Sequence, residues 1–379
     1  MKSNASQSKR PSAVVVDLNG FHFGEKIPDE ATSLVTSAGA LVTALVGGRC
    51  DRPSPDMLAR KGKVLEIKEI VNNNNANVVI FNHELSPVQQ RNLERFIGVR
   101  VVDRSGLILD IFAQRAKSHE GKLQVELAQL EYLSTRLIRG WTHLERQKGG
   151  IGLRGPGESQ LETDRRLIGK RIKLLKTRID AIVRRRKTQR RSRNRNRVPL
   201  VSLIGYTNTG KSTMFNKLTR QSTYAANQLF ATLDTKTRKL NNSYDKTVLL
   251  SDTVGFIRDL PHTLIAAFRA TLEEVVSSDL LIHVVDSGCE DKQLQIDSVN
   301  KVLFEIGAQT VPQLIVFNKT DLTRLDVGIK RHPCAKIENV RVSAKNGLGL
   351  DDLRQCINEL LFHAAPDQLD LQCSGLTYS

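Results

Sequence analysis

Short apolar runs at Val14–Val16, Leu41–Val46, Val78–Phe81 and Val99–Val102 are separated by polar stretches long enough for helices, such as Ser86–Phe96. That alternation predicts a small α/β domain over residues 13–118. Residues 1–12, rich in Ser, Asn, Lys and Arg, read as a disordered lead-in, and the Asn72–Asn75 run as a loop.

The period then changes. Leu123, Leu127, Leu130, Ser134, Leu137, Trp141 and Leu144 follow one another at spacings of 4 and 3, which places them along one face of a long helix. A second seam runs through Leu161, Arg165, Ile168, Ile172, Leu175, Ile179 and Ile182. Between the seams lies GGIGLRGPGES, dense in helix breakers. The simplest arrangement is a long antiparallel helical hairpin over 119–185 with a glycine-rich tip. A buried-strand pattern at Val198–Ile204 opens a third region, predicted to be an α/β domain over 198–362 and followed by a tail at 363–379.

Charge sharpens this division. The 379 residues carry a net +17, and residues 165–197 alone hold 16 Lys and Arg against the single acid Asp180, contributing +15. A block so one-sided favours contact with nucleic-acid phosphates, the bland alternative being a solvated helix face. Few aromatics interleave with the arginines, so backbone contact is expected over base stacking. Residues 186–197 lack periodic apolar positions and read as a flexible basic linker. No apolar run approaches the length needed to span a bilayer, and the N-terminus does not read as a secretory signal. The five cysteines, Cys50, Cys289, Cys334, Cys356 and Cys373, have no metal-ligand spacing, which predicts a reducing, cytoplasmic setting and no cysteine metal site.

Chemistry concentrates in the third region. Gly205-Tyr206-Thr207-Asn208-Thr209-Gly210-Lys211-Ser212 is a GxxxxGKS sequence placed between a strand and a helix, the context of a P-loop. Its backbone N–H groups can wrap phosphates, Lys211 can pair with the β- and γ-phosphates, and Ser212 can ligate Mg²⁺. Four further elements follow in the order a GTPase requires. Leu229-Phe230-Ala231-Thr232-Leu233-Asp234 is the candidate first switch, with Thr232 able to close over the γ-phosphate and Mg²⁺. Asp252-Thr253-Val254-Gly255 is a DxxG element, in which Asp252 would hold Mg²⁺ through water and Gly255 would offer its N–H to the γ-phosphate. Asn318-Lys319-Thr320-Asp321 supplies a carboxylate that can accept from guanine N1–H and the 2-amino group, a donor pair adenine lacks. Ser343-Ala344-Lys345 is the partner loop, with a backbone N–H for guanine O6.

These strings, GYTNTGKSTMFN, LFATLD, DTVGFIRDLPHTLIAAFRATLEEV, NKTD and SAK, together with GGIGLRGPGESQLETDRRLI, LILDIFAQRA and EGKLQVELAQLEYL, resemble the HflX family of ribosome-associated GTPases. The resemblance covers most of the chain. It implies a P-loop GTPase domain preceded by a small α/β domain and a helical hairpin, with Mg²⁺ as cofactor and GTP and GDP as substrate and product. It also implies binding to the large ribosomal subunit and rRNA, and splitting or rescue of stalled ribosomes in a stress response; the chain is expected to be a monomer. Thr235 stands where the family commonly has proline, and Ala59–Lys63 matches a glycine-rich N-terminal stretch only in part.

Carried onto this chain, catalysis rests on Lys211, Thr232 and Gly255, and the metal on Ser212, Thr232 and Asp252. Phe256 follows DTVG where many GTPases have a water-orienting glutamine, which predicts slow intrinsic hydrolysis stimulated by the ribosome; the alternative is a packing role with the water positioned from elsewhere. Asn208 is a candidate K⁺ ligand or, equally, a stabiliser of its loop. The tip Gly149–Gly157 is either a probe for RNA or a plain turn. A GTP-gated rRNA-binding assembly factor is the competing function.

Overall fold

The computed structural model describes residues 10–18, 29–50, 52–140, 156–195, 198–220, 229–240, 246–258, 269–323 and 325–362. The lead-in before residue 10, the hairpin tip from 149 to 155 and the tail after 362 lie outside them. The chain divides into two compact units, one of residues 1–114 with 125–176 and the other of residues 115–124 with 177–379.

In the first unit, strands β1 (Ser12–Asp17), β2 (Leu41–Gly47), β3 (Val78–Phe81) and β4 (Arg100–Val102) form a parallel sheet in the order β2-β1-β3-β4. β1 is central, and Ala13 to Val16 are fully buried, as an uninterrupted apolar run in a two-sided sheet requires. Helices α1 (Asp29–Ser37), α2 (Lys61–Asn73), α3 (Pro87–Ile97) and α4 (Arg104–Arg115) connect and follow the strands. One core joins Val14, Val16, Val79 and Phe81 of the sheet to Val64, Ile67 and Val71 of α2 and Leu93 and Ile97 of α3. The start of α3 is written locally. Ser86 accepts from Gln89 N–H, Gln89 accepts in return from Ser86 N–H, Pro87 sets the first turn, and Gly98 ends the helix at φ 91°.

Helices α5 (His119–Gly140) and α6 (Pro156–Arg195) correspond to the two predicted seams. Leu123, Leu127, Leu175 and Ile179 of those seams are buried. α6 is longer than expected: residues 186–195, read as linker, continue the helix. Apolar periodicity is absent there, yet arginine is a good helix former and a helix once nucleated propagates without a buried face.

The second unit holds a seven-stranded sheet, ordered β10-β11-β9-β8-β5-β7-β6, of β5 (Leu200–Ile204), β6 (Lys236–Lys239), β7 (Leu249–Asp252), β8 (Leu280–Asp286), β9 (Gln313–Asn318), β10 (Gly328–Arg331) and β11 (Ile337–Arg341). The five central strands are parallel, and β6 and β10 close the two edges antiparallel. Helices α7 (Lys211–Thr219) and α10 (Leu350–Phe362) contribute to one core, and α8 (Arg269–Val276) and α9 (Lys292–Ile306) to another. Every predicted chemical motif falls at or after the carboxyl end of a strand of this sheet, except the 229–234 segment, which precedes β6. That edge is where open α/β sheets bind ligands.

Candidate functional site

The loop between β5 and α7 turns through backbone conformations that ordinary side chains disfavour. Gly205 has φ 139°, and a Cβ there would lie 2.2 Å from Val284 O; Gly210 has φ 92°, and a Cβ there would lie 2.3 Å from Asn318 Nδ2. Glycine at both positions is therefore a steric requirement. Asn208 adopts φ 60°, which asparagine tolerates better than most residues. The loop delivers α7 with Gly210 as its N-cap, so the first helical N–H groups face a cavity of about 280 Å³.

That cavity is lined by Thr207, Asn208, Gly210, Lys211 and Ser212 from this loop, by Phe230, Ala231 and Thr232, by Thr253 and Gly255, by Asn318, Lys319 and Asp321, and by Ala344 and Lys345. All five predicted motifs meet there. Gly205, Tyr206, Thr209, Asp252, Val254, Thr320 and Ser343 lie behind the lining, and Leu233 and Asp234 turn away from it. Thr213 and Leu322 also line the cavity and were missed. Thr213 continues the GKS sequence by one position, while nothing but adjacency to Asp321 marks Leu322.

Two ends of the cavity have different chemistry. At one end Lys211 Nζ donates to Gly205 O at 3.0 Å and Tyr206 O at 2.5 Å. Burial pulls its pKa down to about 8, opposed by the charge of Asp252. Ser212 Oγ lies 2.7 Å from Thr232 Oγ1, and both hydroxyls donate to Asp252 Oδ2, at 2.8 and 3.0 Å. Burial raises the Asp252 pKa against these hydrogen bonds and against Lys211 and Lys236. Its second oxygen, Oδ1, is buried and has no hydrogen-bond partner, as is Thr207 Oγ1. Two hydroxyls and a carboxylate with an unsatisfied oxygen are a hard-oxygen set that fits Mg²⁺.

At the other end Asn318, 2% exposed, donates from Nδ2 to Thr209 O at 2.8 Å and accepts from Ala344 N at 2.9 Å. One side chain thus ties the phosphate loop to both base loops. Asp321 Oδ1 accepts from Ser343 Oγ at 2.6 Å, and Lys319 Nζ donates to Asp286 Oδ2 at 2.7 Å. Asp321 and Ala344 both line this end of the cavity. Phe256 is 1% exposed and packs with Ile204, Leu272, Val275 and Leu281, away from the cavity.

A glycine loop able to wrap phosphate, an oxygen set that fits Mg²⁺ and a carboxylate at the far end of the cavity, carried by one mixed sheet, are the arrangement of a guanine-nucleotide-binding P-loop GTPase. Comparison with known proteins narrows the class. The family described as "GTP-binding GTPase N-terminal" matches residues 25–113, "GTP-binding GTPase Middle Region" matches 115–193, and "50S ribosome-binding GTPase" matches 200–319. The chain is 52% identical over 333 residues to GTPase HflX of Escherichia coli K12, covering 88% of this chain and 78% of that protein. It is 44% identical over 350 residues to GTPase HflX of Caldanaerobacter subterraneus subsp. tengcongensis, covering 92% and 80%. Among solved structures, the GDP complex of SsGBP superposes with a TM-score of 0.51 at 26% identity, covering 93% of this chain and 99% of that one. The chain belongs to the HflX GTPase family and hydrolyses GTP to GDP and phosphate. Among the described residues, no helix is long and apolar enough to cross a membrane.

Proposed function

We propose that this GTPase binds the large ribosomal subunit through rRNA and splits or rescues stalled ribosomes in the cytoplasm, hydrolysis being stimulated by the ribosome. The observation that carries this reading is α6. Arg165, Arg166, Lys170, Lys173, Arg178, Arg184 and Arg185 are all exposed on it, within the block that holds nearly all of the net charge. Such a helix offers phosphate contact with no base preference. The match of residues 200–319 to a family described as "50S ribosome-binding GTPase" supports the same partner.

Within the site, Lys211 and the N–H groups at the start of α7 would hold the β- and γ-phosphates, and the Gly255 N–H would meet the γ-phosphate. Asp321 would pair with guanine N1–H and the 2-amino group, and Ala344 N–H with O6. Ser212, Thr232 and Asp252 would hold Mg²⁺, which when bound neutralises phosphate charge and fixes the triphosphate for in-line attack. Asn208, a member of the phosphate loop on the cavity wall, would hold K⁺ as a second cation. Phe256 faces the core, so the attacking water has to be oriented by another group, and a ribosomal contact is the stimulus proposed.

The test measures GTP turnover together with light scattering of whole ribosomes, for the wild type and for Lys211→Ala. Turnover that rises with ribosomes, dissociation with GTP or a non-hydrolysable analogue, and loss of both in the variant are expected. Binding without dissociation would replace splitting with an assembly role. Turnover indifferent to ribosomes would remove the ribosome from the mechanism, and turnover indifferent to exchanging K⁺ for Na⁺ would remove K⁺.

A further inference from the structure

The segment that carries Thr232 into the phosphate end of the cavity also carries Asp234, whose side chain goes elsewhere. Asp234 Oδ2 accepts from the backbone N–H of Lys117 at 2.9 Å and of Ser118 at 2.8 Å, and Ser118 Oγ–H donates to Asp234 Oδ1. Ser118 immediately precedes α5, and its Oγ accepts from Gly121 N–H at 2.8 Å, as an N-cap serine does. In an ordinary capping box, the third helical residue is Glu or Gln and reaches back to the N-cap backbone N–H. Here that residue is Gly121, which has no side chain to do so. The N-cap N–H is satisfied by Asp234 from more than a hundred residues away in sequence.

Glycine is also what leaves room for the visitor. A Cβ at Gly121 would lie 2.1 Å from Asp234 Oδ1, so almost any other residue there would expel the carboxylate. The first turn of α5 is tied to the catalytic sheet by a second route as well. Glu120 pairs with Arg186 at 2.8 Å, Arg186 reaches Glu274 at 3.5 Å, and Glu274 accepts from Ser251 Oγ at 3.0 Å, the residue before Asp252. Burial raises the Glu120 pKa, opposed by Arg186 and reinforced by Glu274 and Asp234, and Glu120 and Glu274 share the Arg186 guanidinium.

We infer that Asp234 completes the α5 capping box in trans, so that seating Thr232 at the phosphate end of the site and capping α5 are one coupled event. Asp234 is thereby a positioning residue for Thr232. Two peptide units separate them, a reach of at most about 7 Å between their Cα atoms, so withdrawing one strains or releases the other. Nucleotide that holds Thr232 strengthens the cap, and the cap in return strengthens the grip on triphosphate, because coupling between two sites is reciprocal. This rests on the assignment of Thr232 to the γ-phosphate end.

Two substitutions separate coupling from mere stability. Asp234→Asn weakens the acceptor while keeping its shape. Gly121→Glu restores an intrahelical Ser-x-x-Glu box, so α5 stays capped while Asp234 is displaced. Calorimetry with GDP and with a non-hydrolysable GTP analogue, both with Mg²⁺, should show wild-type binding of each. In both variants the preference for the analogue over GDP should fall about five- to tenfold, the usual worth of a cap or a charged hydrogen bond, with GDP affinity retained. Hydrogen exchange on the wild type should show the Lys117, Ser118 and Gly121 amides protected more by the analogue than by GDP. In Gly121→Glu the Ser118 amide should stay protected with either nucleotide.

An unchanged preference in both variants, an equal loss for both nucleotides, or wild-type exchange at these amides that ignores the γ-phosphate would each overturn the coupling. Absence of any guanine-nucleotide binding by the wild type would instead refute the site itself.

Discussion

Replacing Asn318 by alanine tests whether one buried amide organises the whole cavity. The side chain is 2% exposed, and its two hydrogen bonds end on Thr209 O and Ala344 N, in residues that are themselves only 1% exposed. Truncation removes both bonds and leaves a buried carbonyl and a buried N–H without partners. Each such loss costs about 1–3 kcal/mol, so the variant should be destabilised by roughly 2–6 kcal/mol. For a domain of this size about 1 kcal/mol lowers Tm by roughly 2–4 °C, so the thermal midpoint should fall by at least about 4 °C. Because Asn318 joins the phosphate loop to both base loops, GDP and GTP affinities should weaken together and their ratio should hold. Differential scanning fluorimetry and calorimetry with both nucleotides measure the two effects. A Tm within 1 °C of the wild type and unchanged affinities would show that the loops keep their places without this amide. A selective loss of GTP would show that the amide acts on the γ-phosphate end.

Phe256→Gln should fail to accelerate single-turnover GTP hydrolysis, because position 256 points into the core of Ile204, Leu272, Val275 and Leu281, and should lower stability by about 2 kcal/mol or more; a faster reaction in a protein of unchanged stability would contradict this. Gly205→Ala should lower the urea midpoint sharply and abolish nucleotide binding, since the new methyl would meet Val284 O at 2.2 Å with φ at 139°; a variant that binds GDP normally would refute the steric argument. His283, 2% exposed in β8, has its pKa pushed down to about 4 by burial and, to a lesser extent, by the charge of Lys211, against a hydrogen bond with Gln313 that raises it. Its folded pKa lies below the unfolded value near 6.5, so the unfolded state binds the proton first. Stability is intact above pH 6.5, falls as pH drops, and has lost this contribution once pH passes about 4. Between pH 7.5 and 5.0 the wild type should lose about 2 kcal/mol more than His283→Val in urea unfolding, and equal losses would remove His283 as the acid-sensitive group.

The parts of this molecule legible in its sequence are those whose signal is local. A strand followed by GxxxxGKS and a helix is one contiguous object, and Ser86, Pro87, Gln89 and Gly98 mark both ends of α3 within thirteen residues. The central strand of the first unit, β1, could be read because a doubly buried strand is an uninterrupted apolar run. What escaped was set by partners distant in sequence. Asp234 reads as part of a switch because LFATLD is contiguous, yet its side chain serves Ser118, a relation no window of sequence displays. The helical state of residues 186–195 was obscured for a different reason. Amphipathic periodicity detects helices that bury a face, and an arginine-rich segment at the end of an existing helix needs none.

One seam between the two phosphate-binding elements limits where the hydrolytic trigger can enter. Tyr206 and Phe256 form a parallel bridge, in which Phe256 N–H donates to Gly205 O and Thr207 N–H to Phe256 O, and the Tyr206 hydroxyl accepts from Arg258 N–H. The phosphate loop and the residues that follow the DxxG element are stitched together through residue 258. An external activator gains nothing by levering Phe256, because three hydrogen bonds and a filled apolar pocket resist the motion. On the proposed reading, an activating partner would bring its water-orienting group to this hydrogen-bonded platform.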